Sequence, residues 1–178
     1  MTAERLLIVE DEPDLVALLQ VLLSAAGYQN IECVLTGRGA LEAAVQRPPA
    51  CVLLDVGLPD ISGLEVCQKL KALPDLARVP VILFTGQKKE KLLGLQHGAD
   101  YFVGKSGDST ELLATLDAAF RRKKQEDGVL ERGELILRAA ERQVLWRGAP
   151  VAVLTPKAYT LFHILVERGP QPVSREDL

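Results

Sequence analysis

The first 122 residues alternate short apolar runs with longer stretches in which apolar residues recur every three or four positions. The apolar runs predict five β-strands, over residues 6–9, 31–34, 51–54, 81–84 and 101–103. The longer stretches predict five helices, over residues 13–26, 38–46, 63–73, 88–97 and 109–124. Because strands and helices alternate, we predict an α/β fold with a five-stranded parallel, doubly wound sheet that helices cover on both faces.

The pattern changes after residue 124, where a polar stretch ends at Gly128. Three short strand-like runs follow, over residues 134–138, 143–146 and 151–153, with a turn at 148–150. Thr155 and Pro156 then suit the start of a helix that ends at Gly169. We therefore predict a first domain over 1–122, a linker over 123–132, and a smaller α+β domain over 133–178 in which Trp146 packs the sheet onto the helix.

The composition, with 48% hydrophobic and 25% charged residues, is ordinary for a water-soluble globular protein. The N-terminus lacks the pattern of a signal peptide, and the apolar runs are too short to span a bilayer. We therefore expect a cytoplasmic protein without membrane contact. Residues 1–122 hold 12 basic and 16 acidic side chains and residues 123–178 hold 9 and 8, so charge alone predicts no nucleic-acid surface.

Polar side chains stand at the carboxyl ends of four of the five predicted strands. They are Glu10 and Asp11 after the first strand, Asp55 after the third, Thr85 after the fourth and Lys105 after the fifth. The second strand offers no such residue and is expected at an edge of the sheet. Because ligands bind beyond the carboxyl ends of the strands in open parallel sheets, these side chains are predicted to converge on one site.

Three carboxylates that lie together repel one another, so a cation is needed to keep them ionised. Their hard oxygen ligands favour Mg²⁺ over zinc or copper. Mg²⁺ leaves a coordination position for a phosphate oxygen, and an aspartate can be the nucleophile that accepts the phosphoryl group. Lys105 would neutralise phosphoryl oxygens, and Thr85 would donate a hydrogen bond. These side chains together predict phosphoryl transfer to an aspartate.

Residues 6–124 resemble the receiver domain of two-component response regulators. The matching segments, in the family's order, are 8–12 (IVEDE), 53–63 (LLDVGLPDISG), 84–86 (FTG) and 98–100 (GAD), followed by Lys105. The resemblance implies a flavodoxin-like fold and phosphorylation of Asp55 by a histidine kinase. It also implies that Asp11, Asp55 and the Gly57 carbonyl bind Mg²⁺ directly and that Glu10 acts through water. Such a receiver is a signalling protein and not an enzyme, apart from slow self-dephosphorylation.

The resemblance further implies a switch formed by Thr85 and Phe102. On phosphorylation Thr85 would move toward the phosphate and Phe102 would rotate inward, which changes the face made by the predicted helix 88–97, the fifth strand and the helix 109–124. Phe102 would equally suit an ordinary core position. Two features depart from the family: Ser106 stands where a proline usually follows the lysine, and the segment 85–98 is about two residues short. We expect Ser106 to loosen the loop that carries Lys105, and the short segment to shorten the loop before the predicted helix 88–97, which moves in the switch.

Residues 133–178 resemble the opening of an OmpR/PhoB-type winged-helix effector domain. The matching segments are 133–135 (GEL), 154–157 (LTPK) and 173–178 (VSREDL). The resemblance implies a DNA-binding transcription regulator whose recognition helix and wing would follow Leu178. We expect the chain to be a fragment of such a regulator, with a frayed helix from Ser174. The alternative is a receiver whose output is protein–protein contact without DNA binding.

Active dimers of this subfamily use charge pairs across the same helix–strand–helix face. Here Lys91 with Glu111, and Asp100 with Arg121 or Arg122, are candidates for such pairs, whereas another usual pair is missing. Because exposed ion pairs are individually weak, we expect a homodimer through this face to be weaker than usual.

Overall fold

The computed structural model describes residues 4–86, 97–126 and 128–169. The chain forms two compact units, Met1–Lys123 and Lys124–Leu178. The strands that form the first unit are β1 (Leu6–Val9), β2 (Ile31–Val34), β3 (Cys51–Leu54), β4 (Val81–Thr85) and β5 (Tyr101–Gly104). Its helices are α1 (Pro13–Ala25), α2 (Gly37–Gln46), α3 (Gly63–Ala72) and α4 (Ser109–Glu126), the last of which continues into the second unit. Most of the predicted helix 88–97, including Lys91, lies outside the described residues.

The five strands form one parallel sheet in the order β2–β1–β3–β4–β5. The predicted α/β class and the position of β2 at the edge are therefore confirmed. Successive side chains of β1 point to opposite faces of the sheet, so Leu6 and Ile8 join one apolar cluster and Leu7 and Val9 join the other. β1, β3 and β4 are buried along their whole length. This two-sided burial is why they appear in the sequence as continuous apolar runs.

The N-terminus of α2 is held by a carboxylate from another part of the unit. Thr36 Oγ1 accepts the N–H of Gly39 at 3.1 Å, which is an ordinary local cap. The Asp60 carboxylate, in the loop between β3 and α3, accepts the N–H of Gly37 at 2.8 Å and that of Arg38 at 2.9 Å. The hydrogen bond from Arg38 is the main reason why the pKa of Asp60 is lowered to about 2.

The C-terminus of α2 is held by a buried cation. The Arg5 guanidinium donates to the carbonyl of Arg47 and, at 3.3 Å, to that of Ala43. It also pairs with Glu32 of β2 at 2.9 Å. A negative charge at one end of a helix and a positive charge at the other both complement the helix dipole. Each end of α2 is thus fixed by a residue outside the helix.

Gly63 starts α3 directly against the end of β3. Its amide donates to the Val56 carbonyl at 3.0 Å, so the two backbones are in close contact. A methyl group at this position would overlap the carbonyl oxygen of Asp55 and lie 2.8 Å from the Asp55 carbonyl carbon. Only glycine allows α3 to begin this close to the backbone of Asp55.

The described part of the second unit contains an antiparallel sheet followed by a helix, and the helix expected from Ser174 lies outside the described residues. The elements are β6 (Val129–Arg132), β7 (Leu135–Arg138), β8 (Gln143–Trp146), β9 (Ala149–Val153) and α5 (Pro156–Arg168), with the strands in sequence order across the sheet. β6 was not predicted. It lies in the segment 123–132 that was expected to be a linker, which also carries the end of α4. Two of the four residues of β6 are charged, so its apolar pattern is too short to be read from the sequence.

The helix α5 begins and ends where the sequence predicts. Thr155 Oγ1 accepts the N–H of Ala158 at 3.3 Å, and Gly169 follows the helix with a φ of 70°. The turn before β9 differs from the prediction: it uses Arg147 and Gly148, both at positive φ, and β9 starts at Ala149, two residues before the predicted strand 151–153. Trp146 was expected to pack inside this unit, but 48% of it is exposed. No described helix has the length and apolar content needed to cross a membrane.

We predict that Gly63→Ala destabilises the first unit by about 2 kcal/mol or more, because the new methyl group meets backbone that has no free space to move into. Urea denaturation followed by circular dichroism measures the loss. Gly86→Ala is the matched control, since a methyl group there meets nothing within 4 Å. Equal denaturation midpoints for the two variants would show that α3 does not depend on the close approach.

Candidate functional site

Three carboxylates meet at the carboxyl edge of the parallel sheet. Carboxylate oxygens of Glu10, Asp11 and Asp55 all lie within 4.8 Å of one another. β1 and β3 are neighbours in the sheet, and the Asp55 amide donates to the Val9 carbonyl at 2.9 Å, so the residues that follow both strands emerge side by side. Glu10 and Asp55 are buried, with 1% and 5% exposed, whereas Asp11 is half-buried.

Lys105 reaches this cluster from the end of β5. Its ammonium lies 2.9 Å from Glu10 Oε1 and 3.0 Å from Asp55 Oδ2. The carboxylate of Glu12, which is more exposed, lies 3.7 Å from the same ammonium group. Without the exposed Glu12, the carboxylates of Glu10, Asp11 and Asp55 carry a formal charge of −3 against the +1 of the Lys105 ammonium.

The loop that carries Lys105 is closed by backbone hydrogen bonds. The Lys105 amide donates to the Thr85 carbonyl at 3.0 Å, and the Gly107 amide donates to the Gly104 carbonyl at 2.9 Å. Ser106 therefore lies inside a hydrogen-bonded turn. The lysine is directed to two carboxylates although no proline follows it.

The pKa values at the site reflect burial and charge together. Burial raises the pKa of Glu10, and the nearby charge of Asp55 raises it further, although the hydrogen bond from Lys105 lowers it. Burial alone would lower the pKa of Lys105, but the hydrogen bonds and charges of Glu10 and Asp55 together outweigh it, so the pKa is raised. The lysine remains charged at neutral pH, while ionised Glu10 is held at a cost in free energy.

The residues present fit a hard divalent cation. Glu10 Oε2 is buried and forms an ion pair with the Lys105 ammonium at 2.9 Å, but it accepts no hydrogen bond in the described part of the chain. The excess of negative charge is two units, which a divalent cation would neutralise. Gly57 lies next to the cluster, since a methyl group there would be 3.6 Å from Asp55 Oδ2. All the available ligands are oxygens, as Mg²⁺ prefers.

The two residues of the predicted switch lie on neighbouring strands. Thr85 is buried at the end of β4, with 4% exposed, and pairs with Gly104 of β5. Phe102, in β5, is half-buried, pairs with Leu83 and packs against the apolar cluster on one face of the sheet. A core role and a switch role for Phe102 are both compatible with this position.

Asp100 and Arg122, which the sequence makes candidates for a charge pair between two copies of the chain, form an ion pair within one copy. The Asp100 carboxylate accepts from Lys71 at 2.6 Å, from the Val81 amide at 2.9 Å and from Arg122 at 3.3 Å. Lys71 also donates to the Val79 carbonyl at 2.8 Å. These contacts already engage Asp100, which the sequence placed at a dimer contact.

Sequence reasoning missed two groups around the site. The Val56 amide donates to Asp55 Oδ1 at 2.7 Å, and a backbone donor carries no signal in a sequence. Asp60 attaches the adjoining loop to α2. A partial signal for Asp60 was present, because the first turn of α2 has no acidic residue of its own to complement its N-terminus.

We predict that Glu10→Gln raises the thermal midpoint of the metal-free protein by a few degrees at about pH 7.5 and much less at about pH 4. The folded-state pKa of Glu10 is raised, so its stabilising contribution is complete below its ordinary value of 4.5 and is lost as the pH rises through the raised value. Glutamine keeps the shape of the glutamate side chain but carries no charge, so it avoids the free-energy cost of burying an ionised carboxylate. Circular dichroism in EDTA gives the midpoints.

The control for this prediction is Glu12→Gln, which removes an acid whose side chain is 67% exposed. It should leave the midpoint almost unchanged at both pH values. A lower midpoint for Glu10→Gln at neutral pH would mean that its pairing with Lys105 outweighs the effect of burial.

Curated relatives match nearly the whole chain. The transcriptional regulatory protein KdpE of Mycobacterium tuberculosis is 36% identical over 178 residues, which are 97% of this chain and 76% of that protein. The DNA-binding dual master transcriptional regulator RpaA of Synechocystis is 32% identical over 182 residues, 98% of this chain and 75% of that protein. These alignments include both units of the chain.

Solved structures and a family profile agree with these relatives. The receiver domain of a histidine kinase from Syntrophus aciditrophicus superposes with a TM-score of 0.65 at 31% identity, covering 74% of this chain and all of that one. DrrB of Thermotoga maritima, an OmpR/PhoB homolog, has a TM-score of 0.59 at 27% identity, covering 99% of this chain and 78% of that one. The profile described as "Response regulator receiver domain" matches residues 6–117. The chain belongs to the response regulator receiver family, and its relatives are response regulators of the OmpR/PhoB type.

Proposed function

We propose that this response regulator is phosphorylated on Asp55 by a histidine kinase, with Mg²⁺ at the site. The observation that carries the proposal is the buried Asp55 carboxylate, which accepts a hydrogen bond from Lys105 while two further carboxylates lie within 4.8 Å. A structural ion pair needs one acid for one base. Three neighbouring carboxylates with one lysine cost free energy through mutual repulsion. The arrangement is explained if the carboxylates bind a divalent cation and one of them accepts a phosphoryl group.

In the proposed step a carboxylate oxygen of Asp55 forms a bond to the phosphorus of a phosphohistidine. The P–N bond of the donor breaks, the imidazole keeps the electron pair and takes up a proton from solvent, and Asp55 becomes an acyl phosphate. Lys105, which lies 3.0 Å from Asp55 Oδ2, would hold the transferred oxygens by charge-assisted hydrogen bonds. The Val56 amide, bonded to Asp55 Oδ1, orients the carboxylate before the reaction.

The metal ligands proposed are Asp11, Asp55 and the Gly57 carbonyl, with Glu10 acting through a water molecule. When bound, Mg²⁺ supplies positive charge to the phosphoryl oxygens as negative charge shifts among them. The chain's own contribution is to hold the three carboxylates close together, with the Lys105 ammonium beside two of them. Glu10 Oε2, which is ion-paired with Lys105 but accepts no hydrogen bond in the described part of the chain, suits an acceptor for a metal-bound water.

The proposed response to phosphorylation uses Thr85 and Phe102. Thr85 is the last residue of β4, and its carbonyl accepts a hydrogen bond from the Lys105 amide. A movement of Thr85 would therefore displace the end of β5. Phe102 belongs to β5 and is only half-buried, which leaves it room to rotate. We infer that these two residues relay the state of Asp55 to the surface of β5 and α4.

The output we propose is control of transcription. In this assignment residues 1–122 are the receiver domain, and residues 133–178 correspond to the opening part of a winged-helix DNA-binding domain. β6 (Val129–Arg132), in the segment 123–132 that was expected to be a linker, is assigned to the same effector domain because it pairs with β7. The support comes from relatives named as transcriptional regulators, whose alignments extend across the second unit. The four-stranded antiparallel sheet followed by α5 is consistent with this type of effector.

We predict that the protein gains the mass of one phosphoryl group when it is incubated with acetyl phosphate and Mg²⁺, and that Asp55→Asn does not. Mass spectrometry of the intact protein after an acid quench measures the gain. Asp75→Asn, an exposed aspartate after α3, is the matched control and should be phosphorylated normally. EDTA should abolish the gain in every variant. An unmodified native protein, or full modification of Asp55→Asn, would contradict the proposal.

A further inference from the structure

The loop between β3 and α3 carries Gly57 and is attached on both sides of that residue. Before Gly57, the Val56 amide is bonded to Asp55 and the Val56 carbonyl accepts from Gly63. After it, the two carboxylate oxygens of Asp60 accept the first two N–H groups of α2. The part of the loop that follows Gly57 is therefore attached through one exposed side chain, that of Asp60. Its partner helix lies more than 20 residues away in sequence.

The start of α2 and this loop are also in close van der Waals contact. A methyl group at Gly37 would lie 2.6 Å from Ile61 Cγ1 and 3.2 Å from the Ile61 carbonyl oxygen. Leu58 and Ile61 pack against the apolar cluster on this face of the sheet. The apolar contacts hold the loop against the core. Because such contacts are not directional, they do not fix the direction of the loop backbone. The paired hydrogen bonds of Asp60 do, because both oxygens must meet their donors at once.

Asp60 is more than a cap for α2. The helix already has a local cap, in which Thr36 accepts the N–H of Gly39, and the Ala40 amide is bonded to the Thr36 carbonyl. The Asp60 carboxylate accepts hydrogen bonds from the two remaining N–H groups of the first turn, those of Gly37 and Arg38. Its bonds therefore have a second effect that the cap of Thr36 lacks: they connect the helix to the loop of Gly57.

We propose that Asp60 is a positioning residue for the metal site. By holding the loop against the N-terminus of α2, it keeps Gly57 next to the Asp55 carboxylate, where the Gly57 carbonyl can be offered to the cation. Asp60 does not touch the cation or the phosphoryl group, and it acts through the backbone between residues 57 and 60. The inference rests on the proposed function, because it assigns Gly57 to the metal.

The test compares Asp60→Ala, Asp60→Asn and Thr36→Ala with the native protein. Isothermal titration with MgCl2 gives the dissociation constant of the unphosphorylated protein. Asp60→Ala should weaken Mg²⁺ binding roughly tenfold, which is the usual size of effect when a group that orients a ligand is removed. Asp60→Asn keeps one acceptor oxygen and should fall between Asp60→Ala and the native protein.

Thr36→Ala separates positioning from simple stabilisation of the helix. It removes a cap of the same helix and should lower the thermal midpoint, yet it should leave the Mg²⁺ dissociation constant unchanged. Native affinity in Asp60→Ala would overturn the proposal. Equal weakening in Thr36→Ala would overturn it too, because the effect would then be one of helix stability.

Hydrogen exchange without metal distinguishes this inference from the proposed function. The amides of residues 56–61 should exchange faster in Asp60→Ala than in Thr36→Ala or the native protein. If the native protein does not bind Mg²⁺, the proposed function fails, while the exchange data still decide whether Asp60 holds the loop. Unchanged exchange in Asp60→Ala would refute the positioning role whatever the metal does.

Discussion

The ammonium group of Lys105 lies between two buried carboxylates, and much of the first unit is arranged to put it there. Glu10 and Asp55 emerge from neighbouring strands, while the lysine comes from the far edge of the sheet, two strands beyond β3. Its long side chain crosses the end of β4 to reach them. Removing charged groups from water costs several kcal/mol each, so the arrangement persists only where the geometry and the remaining partners are good. The sheet order is the means by which that geometry is obtained.

The predictable parts of this structure are those that a repeating apolar pattern marks in the sequence, or whose position at the end of a strand is known. β1 and β3 are buried on both faces and therefore stand out as apolar runs, and the acids that follow them are located by the strand ends. The convergence of Asp55 and Lys105, 50 residues apart, follows from the parallel topology alone. The sequence therefore predicts that these two side chains meet at the candidate site.

The parts that could not be predicted depend on contacts between segments without such a signal. β6 has four residues of which two are charged, and only its pairing with β7 makes it a strand. The turn at Arg147 requires a positive φ that arginine rarely adopts, so the sequence pointed instead to the glycine and proline that follow. Asp60 resembles any exposed acid in a loop until the start of α2 is seen beside it. Long-range partners of this kind are fixed by tertiary structure and not by local preference.

The double attachment of α2 has a consequence for the length of this helix. Arg5 binds its last carbonyl groups and Asp60 its first amides, and both residues are anchored elsewhere in the unit. One added residue would lengthen the helix by about 1.5 Å and rotate everything beyond it by about 100°. An insertion or deletion in α2 would therefore break one attachment to keep the other. The helix acts as a spacer of set length between the start of β1 and the loop that follows Asp55, and changes in chain length are better accommodated outside it.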